Sequence, residues 1–339
     1  MTTAKRGVFL IQLGTPDEPS TQACRRYLRE FLMDPWVIDI PLPIRALLVH
    51  GIIVPFRSPK TAHAYASIWT KEGSPLRVET LKVRDLLQKS LGSHYVVKVG
   101  MRYGNPSLKS ALEEFRAEGV HQIQLMPLYP QYAEATTRSS LERVYELAFQ
   151  MNAKFDFSTL KPFYQDSAYV SAVAQSSGFF NSGAFDYALF SFHGLPTRQL
   201  VKADASKEHC QKVKDCCLQM SSRNAYCYRH HSVETARHIA QKLELKSDQW
   251  SVSFQSRLGR ADWIKPYTEE ELVRLAKSGV RRLAVFCPSF VSDCLETTEE
   301  IGIRGAEVFR EAGGQDLVLM PSLNHHDSWI QALSQWAQA

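Results

Sequence analysis

Short, uninterrupted runs of hydrophobic residues alternate with amphipathic stretches along the whole chain. The runs are typical of strands that are buried on both faces of a parallel sheet. The stretches between them, such as Ser107–Ala117, Ser139–Gln150 and Glu269–Ser278, carry apolar residues at helical spacing. Eight strands are predicted, at Gly7–Leu13, Tyr95–Gly100, Gln122–Met126, Phe155–Leu160, Tyr187–Phe192, Trp250–Phe254, Leu283–Cys287 and Asp316–Met320. This alternation predicts an α/β fold.

The two halves of the chain carry the same turn signals in the same order. The first strand of each half ends in a Gly-x-Pro turn, at residues 14–16 and 194–196. The second strand is followed by an arginine and then a glycine, and the third starts after Gly-Val and ends at a proline. We therefore predict two similar domains, 1–165 and 166–339, each with a four-stranded parallel sheet flanked by helices. Because ligands of open parallel sheets bind outside the carboxyl ends of the strands, the active site is expected in a cleft between these domains.

Composition narrows the class of protein. The chain has 339 residues, of which 44% are hydrophobic and 22% charged, as in ordinary globular proteins with room for two domains. The net charge of +5 is too small to indicate a nucleic-acid partner. The sequence contains no Gly-x-Gly-x-x-Gly fingerprint, phosphate-binding loop or Gly-x-Ser-x-Gly elbow, which disfavours nucleotide binding and serine hydrolysis. The first residues do not read as a secretory signal, so a cytoplasmic location is expected.

Residues 38–56 form the most apolar long stretch, IDIPLPIRALLVHGIIVPF. Three prolines and the charged residues Asp39 and Arg45 within it exclude a membrane-spanning helix. Two interpretations are equally supported. The stretch is either an irregular buried segment, or an apolar lip that holds an apolar ligand or rests on a membrane surface.

Candidate proton-transfer groups lie at predicted strand ends. His193 is followed by Gly-Leu-Pro, a turn that lets a ligand approach the backbone. Glu296 and Glu300 follow another strand and are four residues apart, so they are expected to share a helix face. A neutral imidazole and carboxylates can bind a divalent metal or accept protons near neutral pH. Because so few ligands cannot close a structural metal site, transient handling of a metal is indicated.

Aromatic residues gather at the same strand ends: Tyr103, Tyr129, Tyr132, Phe192, Trp263 and Phe290. Each alone is ordinary core material. Together, and with the apolar 38–56 stretch, they favour a large, flat, apolar ligand over a phosphate or a sugar.

Four of the seven cysteines crowd into eighteen residues: Cys210, Cys216, Cys217 and Cys227. Cytosolic cysteines are expected to be reduced thiols or metal ligands, and this crowding favours a metal site. Four thiolates fit zinc or an iron–sulfur cluster, and spacing does not choose between them. His230 and His231 are reserve ligands.

Five motifs together resemble the ferrochelatase family: GMRYGNP (100–106), PLYPQYAEATTRSSL (127–141), SFHGLP (191–196), FQSRLGRADWIKP (254–266) and SDCLET (292–297). They follow the family's order and the resemblance covers nearly the whole chain. It implies two Rossmann-like (chelatase) domains. It also implies insertion of ferrous iron into protoporphyrin IX to give protoheme, the last step of heme biosynthesis.

The resemblance also implies roles for individual residues. His193 resembles the family's proton acceptor and iron ligand, Glu296 the facing carboxylate that binds metal and relays protons, and Glu300 the next residue of the acidic line. Residues 38–57 resemble the family's active-site lip. The remaining predicted porphyrin contacts are Arg102, Tyr103 and Ser74 from the resemblance, and Tyr129, Phe290 and Trp263 among the aromatic residues.

Some bacterial members of the family carry an internal cysteine segment that holds a [2Fe-2S] cluster. The resemblance therefore favours such a cluster, bound by Cys210, Cys216, Cys217 and Cys227 within an insert at 205–232. Cys294 stands where animal members have a second histidine, and no catalytic role is assigned to it.

Two alternatives stay open for the function. Coproporphyrin III could be the substrate, in which case its additional propionates would need more cationic contacts. A non-catalytic tetrapyrrole carrier would need the apolar cleft without the carboxylates. The expected partners are the porphyrin, ferrous iron and, through the lip, a membrane surface, and the protein is expected to be a monomer or a homodimer.

Overall fold

A computed structural model describes residues 5–178, 184–257, 259 and 261–339. Leu258 and Arg260, which belong to the FQSRLGRADWIKP motif, lie outside the described residues. The chain forms two compact units. The first contains the residues up to Tyr129, Glu134–Lys161 and Ile330–Ala339, and the second contains Pro130–Ala133 and Pro162–Trp329.

The first unit is built on a parallel sheet with the strand order β2-β1-β3-β4. Its strands are β1 (Arg6–Thr15), β2 (Tyr95–Gly104), β3 (Gln122–Pro127) and β4 (Asp156–Thr159). Its helices are α1 (Thr21–Leu32), α2 (Leu42–Leu47), π1 (Leu48–Ile53), α3 (Val54–Ile68), α4 (Pro75–Leu91), α5 (Leu108–Ala117), π2 (Glu134–Arg138) and α6 (Ser139–Gln150). Phe9 and Ile11 of β1 are fully buried in a core with Leu112, Phe115 and Val144 of the helices.

The second unit repeats this plan with the strand order β6-β5-β7-β8, again parallel throughout its described pairs. Its strands are β5 (Tyr187–His193), β6 (Trp250–Gln255), β7 (Arg282–Phe286) and β8 (Asp316–Leu319). Its helices are α7 (Ser167–Ser176), α8 (Thr197–Ala203), α9 (Tyr228–Lys242), α10 (Thr268–Lys277), π3 (Leu295–Gly305) and α11 (Ala306–Glu311). The last helix, α12 (Asp327–Gln338), starts in the second unit, and its residues from Ile330 onward belong to the first. The predicted α/β fold with two four-stranded parallel sheets is confirmed.

The repeated Gly-x-Pro turn has one structural cause in both units. A Cβ atom on Gly14 would lie 1.8 Å from the carbonyl oxygen of Tyr103, and one on Gly194 would lie 2.6 Å from the carbonyl oxygen of Gln255. In each unit, the first strand therefore passes so close to the end of the second strand that only glycine fits. The close approach brings the carboxyl ends of the first two strands of each unit together.

The apolar 38–56 stretch is helical, and the interpretation as an irregular buried segment is wrong. Helices α2, π1 and α3 follow one another without a break from Leu42 to Ile68. Pro43 lies in the first turn of this helical segment, where its missing N–H group is no loss. Val49 and Val54 are fully buried, whereas large apolar side chains on the opposite side are exposed: Leu42, Ile44, Leu47, Ile52 and Phe56. We call residues 38–57 the lip.

Within the described ranges, each helix is too short or too polar to cross a membrane.

Candidate active site

His193 is the last residue of β5, and its protonation pattern is fixed by its neighbour. Its Nδ1 atom lies 2.6 Å from the carbonyl oxygen of Gly194. Because a carbonyl oxygen can only accept, Nδ1 carries the hydrogen and donates it. The lone pair of the neutral ring is therefore on Nε2. That nitrogen can accept a proton or bind a metal.

The backbone of His193 is held by two hydroxyl groups. The buried Tyr228 hydroxyl donates to the carbonyl oxygen of His193 at 2.8 Å and lies 3.0 Å from Oγ of Ser289. The N–H of His193 donates to the same Ser289 oxygen at 3.4 Å. Burial raises the pKa of Tyr228, so its hydroxyl stays protonated and keeps donating. The strand end that presents the imidazole is thus anchored on both of its peptide groups.

Glu296 and Glu300 lie on π3, the helix that follows β7. π-Helical turns are rare and occur frequently at functional sites. Gln255, the register partner of His193 at the end of β6, donates from Nε2 to the carbonyl oxygen of Glu296 at 2.6 Å. The strand end that carries His193 and the first turn of π3 are therefore linked through one side chain.

The carboxylate of Glu300 is bound at both of its oxygens by Ser256. The Ser256 N–H donates to Oε1 at 2.7 Å and the hydroxyl donates to Oε2 at 2.6 Å. The other acidic residues of this segment have different partners, since Glu299 pairs with Arg304 at 2.8 Å and Asp293 accepts from Asn324 at 2.8 Å. Sequence reasoning missed Ser256 and Gln255, although both are polar residues at the end of a predicted strand.

Cys294 precedes π3 and is buried. Its N–H donates to Oγ1 of Thr297 at 3.0 Å, which satisfies one free donor of the first helical turn. Burial raises the pKa of its thiol well above the usual range, so the sulfur is not a thiolate. This geometry gives Cys294 a part in starting the helix.

Two of the predicted aromatic residues lie beside His193. The ring of Phe290 is 6.3 Å from the imidazole, centre to centre, and Trp263 covers Gly194 so closely that a Cβ atom there would lie 3.2 Å from the indole. Phe192, in contrast, is fully buried in the core. The second unit thus brings His193, Phe290 and Trp263 together at one sheet edge.

Two of the predicted porphyrin contacts of the first unit, Arg102 and Tyr103, bind a buried aspartate that sequence reasoning missed. Asp34 forms an ion pair with Arg102 and accepts hydrogen bonds from the hydroxyl groups of Tyr103, at 2.8 Å, and Ser139, at 2.6 Å. Nε of Arg102 also donates to Ser139 at 2.8 Å. Arg102 is therefore held rigidly, whereas Tyr103 is fully buried and acts as part of its support.

Tyr129 and Ser74 are buried as well. The Tyr129 hydroxyl lies 3.1 Å from Oγ of Ser140, and Oγ of Ser74 accepts from Thr15 at 2.8 Å. Both side chains already have polar partners within the first unit. Their predicted contact with a porphyrin stays a prediction.

The four clustered cysteines converge in the second unit. The sulfur atoms of Cys216 and Cys217 are 3.6 Å apart, and Cys210, Cys216 and Cys227 line one pocket. The Cys217 thiol donates to Cys227, which raises the pKa of Cys217 and lowers that of Cys227. Burial raises the pKa of Cys210 to about 11. The described residues nevertheless contain no group of three or more His, Cys, Asp or Glu side chains arranged as a metal site.

The two reserve histidines differ. His231 uses both ring nitrogens, because Nδ1 accepts from the N–H of Tyr132 at 3.1 Å and Nε2 donates to the carbonyl oxygen of Ala225 at 2.8 Å. It is therefore not a spare ligand, and that expectation is wrong. His230 donates from Nδ1 to the carbonyl oxygen of Cys217 at 2.9 Å, and its buried Nε2 has no hydrogen-bond partner.

Residues 5–339 match the family model described as Ferrochelatase. The chain is also 47% identical over 335 residues to a ferrochelatase of Stutzerimonas stutzeri, a match that covers 98% of this chain and 97% of that protein. The chain belongs to the ferrochelatase family. A ferrochelatase of Azotobacter vinelandii is 46% identical over 332 residues, with 97% of each protein covered.

Solved chelatase structures share the ferrochelatase fold seen here. SirB from Bacillus subtilis, solved with Fe3+, superposes with a TM-score of 0.57 over 98% of this chain and 94% of SirB, at 11% identity. The sirohydrochlorin chelatase SirB from Bacillus subtilis subspecies spizizenii, in complex with cobalt, gives 0.55 at 12% identity, with the same coverage. Membership of the ferrochelatase family and the similarity to the two curated ferrochelatases show an enzyme that inserts iron into a porphyrin during heme biosynthesis.

Proposed function

We propose that this ferrochelatase inserts ferrous iron into protoporphyrin IX with Nε2 of His193 as the base that removes pyrrole protons. The observation that carries this proposal is the hydrogen bond from Nδ1 of His193 to Gly194, because it leaves the lone pair on Nε2. Phe290 and Trp263, which lie beside this imidazole, offer aromatic surface to a flat macrocycle.

The reaction exchanges two pyrrole protons for one doubly charged ion. His193 is positioned by its anchored backbone to accept a proton at Nε2, and Glu296 and Glu300 supply carboxylates that attract the cation and take up protons. A carboxylate and an imidazole suit ferrous iron as a transient ligand set, since they leave coordination positions for the porphyrin nitrogens. The iron is a substrate here.

The lip favours protoporphyrin over coproporphyrin III. Its exposed side chains, such as Leu47 and Phe56, are apolar and match the vinyl and methyl edge of protoporphyrin. Coproporphyrin would place additional charged propionates on this surface at a desolvation cost. We expect a higher kcat/KM for protoporphyrin when both porphyrins compete under anaerobic conditions with ferrous iron. A preference for coproporphyrin would reject this substrate assignment.

A tetrapyrrole carrier is the alternative from another class. A carrier would bind porphyrin and yield no metalloporphyrin above the protein-free blank in the same assay. The paired carboxylates on π3, one of them clamped by Ser256, support the enzyme because a carrier has no use for them.

The same exposed side chains are proposed to make a peripheral membrane contact. Leu42, Ile44, Leu47 and Phe56 project from α2 and α3, and apolar side chains on short helices can enter the interface of a bilayer. Such a contact would place the lip where a poorly water-soluble porphyrin partitions.

For the cysteine segment, we propose a [2Fe-2S] cluster bound by Cys210, Cys216, Cys217 and Cys227. The proposal is supported by the 3.6 Å between the sulfurs of Cys216 and Cys217, which is close to the edge of a sulfur tetrahedron around iron or zinc, about 3.8 Å for bonds of about 2.3 Å. The described residues do not form a complete set of ligands, so the other thiols would have to move on binding. The N–H of Cys210 donates to a carboxylate oxygen of the buried Asp204 at 2.8 Å, which holds the backbone that carries this thiol. When bound, the cluster supplies a covalent cross-link among four thiolates, and no step of iron insertion is assigned to it.

A further inference from the structure

We infer that Ser256 is a positioning residue for iron delivery, which acts by holding Glu300 as a fixed carboxylate beside the end of β6. The inference rests on the proposed function, because it concerns how the same site takes up ferrous iron. Its basis is the pair of hydrogen bonds at 2.7 and 2.6 Å, one to each oxygen of Glu300. Both bonds are short, and hydrogen bonds to a carboxylate are among the strongest in proteins.

The backbone of Ser256 shows that this geometry is imposed. Its φ angle is +67°, in the left-handed region that residues other than glycine rarely adopt. Such a conformation is strained and persists where the surroundings require it. Here it turns the N–H and the hydroxyl of one residue toward the same carboxylate.

The preceding residue reinforces the arrangement. Gln255 is buried, accepts from Oγ of Ser191 at 2.7 Å and donates to the carbonyl oxygen of Glu296 at 2.6 Å. Two consecutive residues after β6 therefore hold two successive turns of π3. We call Gln255 and Ser256 the π3 clamp.

The clamp holds the two glutamates in different ways. Two donors fix the plane of the Glu300 carboxylate, while each oxygen keeps a lone pair for a cation. Glu300 is thus suited to receive iron. Glu296 is instead held through its backbone carbonyl.

Two substitutions of Ser256 separate the effect of its hydroxyl group from the effect of its strained backbone. Ser256→Gly removes only the hydroxyl, because glycine keeps the N–H and adopts a positive φ without strain. Ser256→Ala removes the same hydroxyl and retains the strain. Glu244→Gly is the matched control, since Glu244 is an exposed residue with φ +56° at the end of α9.

We expect Ser256→Gly to raise the KM for ferrous iron by about tenfold, the effect of one hydrogen bond to a charged group. The KM for protoporphyrin and kcat should stay within about twofold, a split that a general loss of structure would not give. Ser256→Ala should give the same split with a lower Tm. Glu244→Gly should raise the Tm without changing any kinetic constant.

A double variant, in which Ser256→Gly is combined with Glu300→Gln, shows whether Ser256 acts through Glu300. Glu300→Gln alone should raise the iron KM, and adding Ser256→Gly to it should have no further effect. An unchanged iron KM in Ser256→Gly, or additive effects in the double variant, would overturn the inference. An unchanged iron KM in Glu300→Gln would do so as well, because Ser256 would then have nothing to position. Failure of the unaltered protein to metallate porphyrin would instead reject the proposed function.

Discussion

His231 shows how a single buried histidine makes the stability of this protein depend on pH. Its ring is stacked on Tyr164 at 3.8 Å, and Nδ1 accepts a backbone hydrogen bond from Tyr132. Burial lowers the pKa of His231 to about 4, so the folded protein holds the ring neutral. Protonation would remove the acceptor at Nδ1.

This shift predicts a loss of stability in mild acid. Above about pH 6.5 the His231 ring is neutral in both the folded and the unfolded protein. Between about pH 6.5 and about pH 4 the ring is protonated in the unfolded protein and stays neutral in the folded protein, so acid favours unfolding. We expect His231 to contribute a loss of about 2 kcal/mol in the free energy of unfolding between pH 7.5 and 5. Urea titrations of His231→Asn, whose Oδ1 can accept from Tyr132, should show a correspondingly smaller pH dependence.

His121, an exposed histidine, provides the control. His121→Asn should keep the pH dependence of the unaltered protein. If His231→Asn and the unaltered protein lost the same free energy between the two pH values, the buried neutral ring would not be the cause.

Individual residues were predicted unevenly from the sequence. His193, Glu296 and Glu300 could be named as candidates because they follow apolar strands and match family motifs, and their roles stay predictions. Asp34 and Ser256 could not, because their roles depend on residues far away in the chain. Asp34 contacts Arg102 and Ser139 only in the folded protein, and the residues next to Asp34 in the sequence form no motif that predicts its burial.

Among the secondary-structure elements, the strands were predictable and the π-helices were not. Continuous apolar runs such as Val8–Ile11 are buried on both faces and need no partner to be recognised. An i→i+5 turn has no distinctive periodicity over five to eleven residues, so π2 and π3 read as ordinary helix starts. Both follow the third strand of their unit, which indicates that the deviation belongs to the repeated plan.

The lip leads to a prediction about membranes. Leu47 and Phe56 are each 73% exposed, and burying two such side chains in a bilayer interface stabilises the bound state by about 1.5–3 kcal/mol each. The double variant Leu47→Gln/Phe56→Gln should therefore sediment with phosphatidylglycerol-containing vesicles at least about tenfold more weakly. Phe149→Gln on α6, which removes an 86% exposed ring outside the lip, should bind as the unaltered protein does. Equal binding of all three proteins would exclude the lip as the contact.

The cysteine segment leads to a second prediction at this level. Purified protein should show visible absorbance and acid-labile sulfide, and Cys217→Ser should lose both, together with roughly 3–6 °C in Tm, because the cross-link of the segment is lost. Cys24→Ala, which removes a buried thiol on α1, should retain absorbance and sulfide. Bound zinc without labile sulfide in the unaltered protein would contradict the cluster.

The whole molecule repeats one four-stranded plan, and its repetition explains why sequence reasoning reached the fold. Turn signals recur because the same close approach of strands recurs, at Gly14 against Tyr103 and at Gly194 against Gln255. The chemistry is not repeated. In the first unit, Arg102 lies near the end of the second strand and is held by Asp34. In the second unit, the π3 clamp lies at the end of the second strand and holds Glu300. Similar scaffolds thus present a cation in one unit and carboxylates in the other.

Single-turnover insertion of ferrous iron into bound protoporphyrin, followed anaerobically by absorbance, tests the role of His193. We expect His193→Ala to bind porphyrin normally and to insert iron about 100- to 10,000-fold more slowly, because a positioned base is lost. Glu296→Ala should behave in the same way. Glu299→Gln, which changes a neighbouring carboxylate paired with Arg304, should insert iron at the unaltered rate. Near-normal insertion by His193→Ala would contradict the assignment of Nε2 as the base.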